Sequence, residues 1–436
     1  MSETAIHTIN VGIVGAGTVG RGALQVLVQN AELIARRALP LRVAWVAEQD
    51  QDKARGLLDE LGLTATKVTG DWQEIIADPD TQIVVELIGG TTLARDIIAA
   101  ALEAGKSAVT ANKDLMAAYG GELLAIAEAH QADLFFEASV GGGIPVIQSM
   151  KENLAGNRFL EIKGIVNGTT NYILTKMTES GADFAETLAE AQALGYAEAD
   201  PTADVAGLDA ARKMAILASI AFNSRVTYDM VATEGITKIS AWDVLYAREF
   251  GYVIKMLGLA SSDGDSIEVR VHPLMIPKTH PLAAVRDTYN AIFITGDAVE
   301  NTMLYGRGAG SLPTGSAVVG DIIQAARNIA HDCRARWGCT CFKDLPIKPL
   351  DDTVSKYYVR VSVQDKVGVF AALSSALSAA NVSMDAVMQK RRLPDGGAEI
   401  VMITHLVRHK DMMTALSIID RLDCVTEVSE FIRVED

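Results

Sequence analysis

Residues 8–20 read TINVGIVGAGTVG, and this stretch decides the fold of the N-terminal part of the chain. A short apolar run leads directly into the turn GAGTVG, after which the sequence becomes helical. A strand, a G-x-G-x-x-G turn and a helix in this order are typical of a dinucleotide-binding fold. Gly15 permits the tight turn, Gly17 lets backbone amides approach a pyrophosphate, and Gly20 lets helix and strand pack closely. The alternative is a glycine-rich turn that holds no ligand. The residues predicted to bind the dinucleotide here are Gly15, Gly17, Thr18, Val19 and Gly20.

The sequence outward from this turn predicts three domains and a linker. Residues 1–150 alternate between β-rich and helical runs, which predicts an α/β domain with a Rossmann-type doubly wound parallel sheet. Residues 151–335 mix β-rich runs, a helix from Gly207 and a glycine-rich stretch, so we expect an α+β domain for substrate binding, catalysis and dimerisation. Residues 336–355 lack periodicity and are predicted to be a linker. In residues 356–436 the order β-α-β-β-α-β predicts a small ferredoxin-like domain.

The composition excludes several classes of protein. The chain has 436 residues and a net charge of −16, which argues against nucleic acid or an anionic membrane as the main partner. No run of ~20 apolar residues lacks charge, so we expect no membrane span. The first ten residues, MSETAIHTIN, show no features of a signal peptide, and four cysteines in so long a chain fit a reducing cytoplasm. An anionic cofactor remains compatible with the charge, because local amides and helix dipoles bind phosphates.

The end of the second predicted strand bears on the choice of dinucleotide. Glu48 lies there and could hold the ribose hydroxyls, which favours NAD. Lys53 and Arg55 follow closely and could serve the 2′-phosphate of NADP. The residues favour NAD slightly, and a solvated loop acid is the alternative interpretation of Glu48.

A second informative stretch, GYAEADPTADVAGLDAARK at 195–213, places an acidic loop before a helix. Asp209 and Lys213 stand four residues apart and hence on one face of that helix. A lysine beside a carboxylate, facing an acidic loop, suits proton transfer to a small amine- or hydroxyl-bearing substrate. An ordinary surface pair is the alternative. The candidates are Lys213 and Asp209 for catalysis and Glu198, Asp204 and Asp209 for substrate binding.

Two further candidates follow predicted strand ends, where ligands of open α/β sheets gather. Lys113 follows one such strand, and Thr91, which follows another, is predicted to touch the cofactor. A solvated lysine at a helix start is the alternative for Lys113, although the first turn of a helix disfavours cations. Thr169 and Thr170 offer hydroxyls to a substrate pocket, or they serve as turn and cap residues.

Several long motifs in order resemble one family, the single-function homoserine dehydrogenase with a C-terminal ACT domain. They are GAGTVG (15–20), ANKDLMAAYG (111–120), FFEASVGGGIPVI (135–147), NGTTNYI (167–173) and the acidic stretch at 195–213. The resemblance covers nearly the whole chain. It implies interconversion of L-homoserine and L-aspartate 4-semialdehyde with a nicotinamide cofactor, NAD or NADP, in threonine, methionine and isoleucine biosynthesis.

The resemblance also implies roles that the residues alone do not give. Lys113 faces cofactor and substrate and is a second proton-transfer candidate. Glu198 binds homoserine, and the backbones of Gly195 and Gly310 lie near the cofactor. A monovalent cation, usually sodium, is held by the Glu137 side chain and three carbonyls. Those carbonyls belong to Val140, Gly142 and Ile144. One carboxylate beside a glycine-rich turn suits a hard cation, but the residues alone indicate a loop that positions the second domain.

The last domain resembles an ACT domain, which implies L-threonine as effector. The stretch DKVGVFAAL carries Asp365, Gly368 and Val369, whose amides could meet a carboxylate, and Asn381 could bond the effector's amino or hydroxyl group. An oligomerisation domain without ligand is the alternative. Sheet edges in the second and last domains predict a homodimer or homotetramer.

Other functions were weighed against this one. Cys333, Cys339 and Cys341 with His331 fit no common zinc spacing, so linker cysteines are the favoured interpretation. A related semialdehyde-oxidising enzyme would need a nucleophilic cysteine in its catalytic domain. A nucleotide- and amino-acid-binding sensor without turnover would not need two lysines aimed at one pocket.

Overall fold

The structure is a computed structural model that describes residues 8–336, 338–394 and 396–435. The prediction that the N-terminus carries no signal peptide concerns residues 1–10, and the first seven of these lie outside the described residues. The chain divides into two compact units. The first unit contains Met1–Leu160, Arg212–Met230 and Asn290–Leu345, and the second contains Glu161–Ala211, Val231–Tyr289 and Pro346–Asp436.

The N-terminal part of the first unit is a parallel sheet with connecting helices. Its elements are β1 (Ile9–Val14), α1 (Thr18–Gln29), α2 (Ala31–Arg37), β2 (Leu41–Ala47), α3 (Gln51–Glu60), β3 (Lys67–Thr69), α4 (Gln73–Ala77), β4 (Ile83–Glu86), α5 (Thr92–Glu103), β5 (Ser107–Thr110), α6 (Lys113–Ala129) and β6 (Leu134–Phe135). The strand order is β3-β2-β1-β4-β5-β6, and every pair is parallel. This confirms the predicted doubly wound sheet. The order reverses between β1 and β4, where such folds bind ligands.

The middle of the chain contributes to both units. Its elements are α7 (Val146–Gln148), β7 (Phe159–Ile165), α8 (Gly168–Ser180), α9 (Phe184–Ala193), α10 (Thr202–Val205), α11 (Leu208–Phe222), β8 (Ala232–Thr233), α12 (Ala241–Glu249), β9 (Tyr252–Ser262), β10 (Ile267–Pro277), β11 (Tyr289–Gly296), β12 (Glu300–Arg307) and α13 (Ser311–Ala330). In the second unit, β9 pairs with β7 and β10 in antiparallel fashion. The predicted acidic loop contains the short helix α10, because Pro201 and Asp200 start a turn that Thr202 continues.

The C-terminal part of the second unit has the predicted ferredoxin-like order. Its elements are β13 (Val354–Val363), α14 (Val369–Ala379), β14 (Met384–Arg392), β15 (Ala398–Thr404), β16 (Val407–Arg408), α15 (His409–Ile419) and β17 (Val425–Val434). The strands are arranged β17-β13-β15-β14 and cover a core of valine, leucine and isoleucine side chains. The first strand begins inside the range predicted as linker, because Val354 and Ser355 pair with β16.

Among the described residues, no helix is both long and apolar enough to cross a membrane.

Candidate active site

The glycine-rich turn joins β1 to α1 in the first unit. Gly15 has a φ of +101°, and a Cβ there would lie 2.8 Å from the Leu87 carbonyl oxygen. A Cβ on Gly20 would lie 2.2 Å from the Gly15 carbonyl oxygen, whereas a Cβ on Gly17 would meet no atom within 4 Å. Gly17 is the N-cap of α1, so no side chain caps the first N–H groups of this helix. The turn therefore presents the amide end of a helix to open space, which suits a phosphate group.

A cavity of about 290 Å³ lies beside this turn, and Glu48 lines it. The two carboxylate oxygens of Glu48 accept the N–H groups of Ala16 and Gln49, both at 2.9 Å. Glu48 is therefore tied to the glycine-rich turn and is not merely a solvated acid. Lys53 and Arg55 lie on α3 and are not among the described residues that line the cavity.

Polar side chains at neighbouring strand ends connect the loops around this cavity. Glu86, fully buried at the end of β4, accepts the Thr110 hydroxyl at 2.6 Å and the Ile88 N–H at 2.9 Å. Asn112 caps α6 and also donates to the Gly90 carbonyl at 2.6 Å. Our sequence analysis missed Glu86 and Asn112, although polar residues at the carboxyl ends of parallel strands were the signal available.

Both predicted lysines belong to the first unit. Lys113 is the first residue of α6, and Lys213 lies on α11 together with Asp209. The Arg212 guanidinium contacts the Asp114 carboxylate at 2.7 Å. This ion pair joins the two helices at the residues next to the lysines. Thr91 is the N-cap of α5 and makes no side-chain cap bond.

In the second unit, Asn167 organises two of the predicted acids. Its side-chain NH₂ donates to Asp204 at 2.7 Å and to Asp209 at 2.9 Å. Its amide oxygen accepts the Thr170 N–H at 2.9 Å and so caps α8. Asp209 is buried despite its charge. The sequence analysis singled out the threonines of NGTTN and missed the asparagine that precedes them.

The remaining predicted residues of this region make other contacts. The Thr169 hydroxyl donates to the Tyr196 carbonyl at 2.7 Å, so it ties α8 to the loop after α9, in agreement with the cap-or-turn alternative. Gly195, in that loop, has a φ of +74°. Glu198 is exposed, and its backbone carbonyl accepts from Gln192.

The loop predicted to hold a cation centres on Glu137 in the first unit. Its buried carboxylate accepts the N–H groups of Ile147 at 2.8 Å and Gln148 at 2.6 Å. Burial raises the pKa of Glu137 to about 7. Asp321 accepts the Glu137 backbone N–H at 2.9 Å, and burial beside Glu137 raises the pKa of Asp321 well above its usual value.

The backbone carbonyls of this loop differ in whether they accept a hydrogen bond. Those of Val140 and Gly142 accept no hydrogen bond from the described residues, whereas that of Ile144 accepts the Val146 N–H at 2.8 Å. Buried carboxylates without a described cationic partner, next to free carbonyls, form a donor set that fits a hard cation. Gly310, the N-cap of α13, precedes Ser311, whose hydroxyl donates to the Thr18 carbonyl at 2.7 Å beside the glycine-rich turn.

The predicted effector residues lie around α14. Gly368 caps this helix with a φ of +95°, and Val369 starts it and is buried in the core. The Asp365 carboxylate lies 3.7 Å from the Arg392 guanidinium. Asn381 follows the helix, is exposed and has a φ of +59°.

The four cysteines are not paired with one another. All four are free thiols. Within the described part of the chain, no three histidine, cysteine or acidic side chains gather in a way that could hold a metal ion. Cys339 is exposed, and Cys333 and Cys341 are half-buried.

Comparison with known proteins adds a consistent set of similarities. A family model for the NAD-binding domain of homoserine dehydrogenase matches residues 15–137, one for homoserine dehydrogenase matches 145–323, and one for the ACT domain matches 357–424. The homoserine dehydrogenases of Neisseria gonorrhoeae and Corynebacterium glutamicum are 42% and 43% identical to the chain. These alignments cover 98% of this chain and 98% and 96% of the relatives.

Solved structures give the same similarity. A homoserine dehydrogenase from Thiobacillus denitrificans matches with a TM-score of 0.92 and 42% identity, over 99% of each chain. A hyperthermophilic archaeal homoserine dehydrogenase in complex with NADPH matches with a TM-score of 0.61 and 26% identity, over 73% of this chain and 98% of that chain.

Proposed function

Because the chain belongs to the homoserine dehydrogenase family, we propose that it interconverts L-aspartate 4-semialdehyde and L-homoserine with NAD(P)H. This reaction serves threonine, methionine and isoleucine biosynthesis. The observation that carries the proposal is the full-length similarity to enzymes of this name, in a chain that retains a dinucleotide turn and a buried acidic group around Asn167.

The chemistry divides among the residues as follows. A nicotinamide cofactor held at the glycine-rich turn would supply the hydride for reduction of the aldehyde and would take it back in oxidation. Lys213 gives a proton to the carbonyl oxygen in reduction and takes one from the hydroxyl in oxidation, and Lys113 is the second candidate for this role. The substrate ammonium is held by Glu198, Asp204 and Asp209, with Thr169 in the same pocket.

The residues around the nucleotide cavity favour NAD. Glu48 lines the cavity and carries a negative charge that would repel a 2′-phosphate. Arg55 is engaged with Asp52 at 3.7 Å on the exposed side of α3. The dinucleotide contacts that we propose are Gly15, Gly17, Thr18, Val19, Gly20, Glu48, Thr91, Lys113, Gly195 and Gly310.

Further features complete the proposal. A sodium ion is held by the Glu137 carboxylate and by the carbonyls of Val140, Gly142 and Ile144. L-Threonine inhibits the enzyme by binding at Asp365, Gly368, Val369 and Asn381. The enzyme acts in the cytoplasm as a homodimer or homotetramer.

A direct test is the absorbance of reduced nicotinamide after the protein is mixed with L-homoserine and NAD⁺ or NADP⁺. We expect turnover, with NAD⁺ preferred. Lys213→Ala should lower kcat at least about 100-fold while both ligands still bind, because a positioned acid–base group contributes that much. Lys278→Ala, an exposed lysine in the second unit, serves as the control.

Each outcome separates the alternatives. Near-full activity of Lys213→Ala would move the proton role to Lys113. Binding of nucleotide and homoserine without turnover by the wild-type protein would favour the sensor hypothesis.

A further inference from the structure

One edge of β10 is shared by two strands from different parts of the second unit. Since β9 pairs along the full length of β10, both β8 and β17 must use the opposite edge. β8 pairs at Arg270 and Val271, and β17 pairs at Leu274 and Met275. β8 lies between β7 and β9 in sequence, whereas β17 is the last strand of the ferredoxin-like domain. His272 and Pro273 lie between the two pairings, where the edge is split.

Three cationic or titratable side chains are buried at this split edge. The exposed fraction is 8% for Arg270, 1% for His272 and 1% for Arg433. Arg270 contacts Glu268 at 3.0 Å and the Ser355 hydroxyl at 3.3 Å through the same nitrogen, Nη2. The other nitrogens of Arg270, Nε and Nη1, are buried without a hydrogen-bond partner.

Arg433 is engaged on one side only. Its Nη1 donates to both oxygens of Glu234 at 2.8 and 2.9 Å, and its Nη2 lies 3.4 Å from His409 Nδ1. Its Nε is buried without a partner. Each guanidinium therefore keeps a donor that no described residue accepts, and buried donors of charged groups are rarely left in that condition.

His272 supplies an acceptor at the same place. Its Nδ1 lies 2.8 Å from the Pro273 carbonyl, which can only accept, so Nδ1 carries the hydrogen. Burial and the charges of Arg433 and Arg270 lower the pKa of His272 well below its usual value, so the ring is neutral. Nε2 is then a bare acceptor, and it is buried without a partner.

We propose that Arg270, His272 and Arg433 bind a small oxyanion that carries one hydrogen, of the hydrogenphosphate or hydrogencarbonate class. Its oxygens accept hydrogen bonds from the three unpartnered guanidinium nitrogens, and its hydroxyl donates to His272 Nε2. The anion also separates two buried positive charges that repel each other. It links β10 to β17, and therefore links the paired strands β7, β9 and β10 to the ferredoxin-like domain. This site is distinct from the proposed nucleotide and effector sites and does not depend on the proposed activity.

Titration calorimetry with inorganic phosphate tests the proposal on the full-length protein. Saturating NAD⁺ is present, because phosphate would otherwise occupy the glycine-rich turn. We expect one saturable site per chain, with sulfate and chloride binding at least tenfold more weakly at equal ionic strength, because neither donates a hydrogen bond. A parallel titration with hydrogencarbonate decides between the two anions.

Variants locate the site. Arg270→Met should weaken phosphate binding at least tenfold. Arg270→Lys keeps the positive charge beside Glu268 but removes the unpartnered nitrogens Nε and Nη1, so it should weaken phosphate binding to the same extent. This variant tests the site even if the methionine variant does not fold. Arg286→Met, which removes an exposed guanidinium of the same unit, should leave binding unchanged. No saturable phosphate or hydrogencarbonate binding, or equal binding by wild type and both Arg270 variants, would overturn the proposal.

Discussion

At the scale of single residues, one amide holds two acids of the candidate site together. Asp204 and Asp209 carry like charges, and the NH₂ of Asn167 donates one hydrogen to each of them. Because Asp209 is buried, the loss of this donor would remove one hydrogen bond from a carboxylate that water does not solvate freely. Asn167 is therefore a positioning residue whose role can be separated from its role as a helix cap.

Asn167→Ser makes that separation, because serine caps helices as well as asparagine but has a single hydroxyl donor. We expect KM for L-homoserine to rise about tenfold, which corresponds to about 1.4 kcal/mol of lost binding. The unfolding temperature should fall only slightly. Asn167→Asp, which keeps the cap acceptor and adds a third carboxylate, should raise KM further. An unchanged KM in both variants would remove Asn167 from the substrate site.

Glu137 gives a prediction about pH. The folded-state pKa of about 7 exceeds the usual value of a glutamate, so the folded protein holds a proton that the unfolded chain has released. The free energy of unfolding therefore falls as pH rises from the unfolded-state pKa to about 7, and this loss is complete above that pH. A cation bound to the ionised carboxylate offsets the loss.

If Glu137 holds sodium as proposed, sodium and the proton compete for its carboxylate. We expect the rise in unfolding temperature caused by sodium to be larger at pH 8 than at pH 6, with apparent affinity falling about tenfold per pH unit below 7. Choline chloride controls for ionic strength. Glu137→Gln should abolish the sodium effect at both pH values. A sodium effect that is independent of pH and persists in this variant would contradict the assignment.

At the scale of elements, the start of α1 separates folding from ligand binding. A Cβ at Gly20 collides with the Gly15 carbonyl, whereas one at Gly17 meets only open space. Gly17→Ala should therefore unfold at the wild-type temperature but bind NAD⁺ at least about tenfold more weakly, because the methyl group occupies the approach of the pyrophosphate. Gly20→Ala should lower the unfolding temperature in the absence of nucleotide. Calorimetry with and without NAD⁺ measures both effects, and equal NAD⁺ affinity in Gly17→Ala would contradict the predicted phosphate site.

The elements also show which features the sequence could predict. The central strands β1 and β4 are buried on both faces, so both could be predicted from their continuous apolar runs. The edge strand β3 has only three residues, and two of them, Lys67 and Thr69, are polar. This strand was not predicted. The partners of Glu86 and Asn167 were also missed, because a polar residue at a strand end does not reveal which distant side chain it will meet. Chain position alone predicts which edge of the sheet carries polar groups, but not their pairing.

At the scale of the whole molecule, the ferredoxin-like domain is part of the second unit and not an appendage. Its strand β17 pairs with β13 and also with β10. The buried Arg360 of β13 contacts Asp243 of α12 at 2.7 Å and Glu399 of β15 at 3.1 Å. Because breaking a buried, hydrogen-bonded ion pair is costly, these contacts couple the domain to β10 and α12. An effector bound to this domain therefore acts on a connected structure.

Asn381 allows the proposed threonine site to be tested without disturbing that structure. Its left-handed φ is one that glycine adopts freely, so Asn381→Gly should preserve the unfolding temperature. If its amide holds the effector, the inhibition constant for L-threonine should rise at least about tenfold, the effect of one lost hydrogen bond to a charged group. Asn223→Gly, the same exchange at another left-handed position, should leave inhibition unaltered. Because neither exchange strains the backbone, equal inhibition of the two variants and wild type would show that Asn381 makes no contact with threonine. Absence of threonine inhibition in the wild type would favour an oligomerisation module.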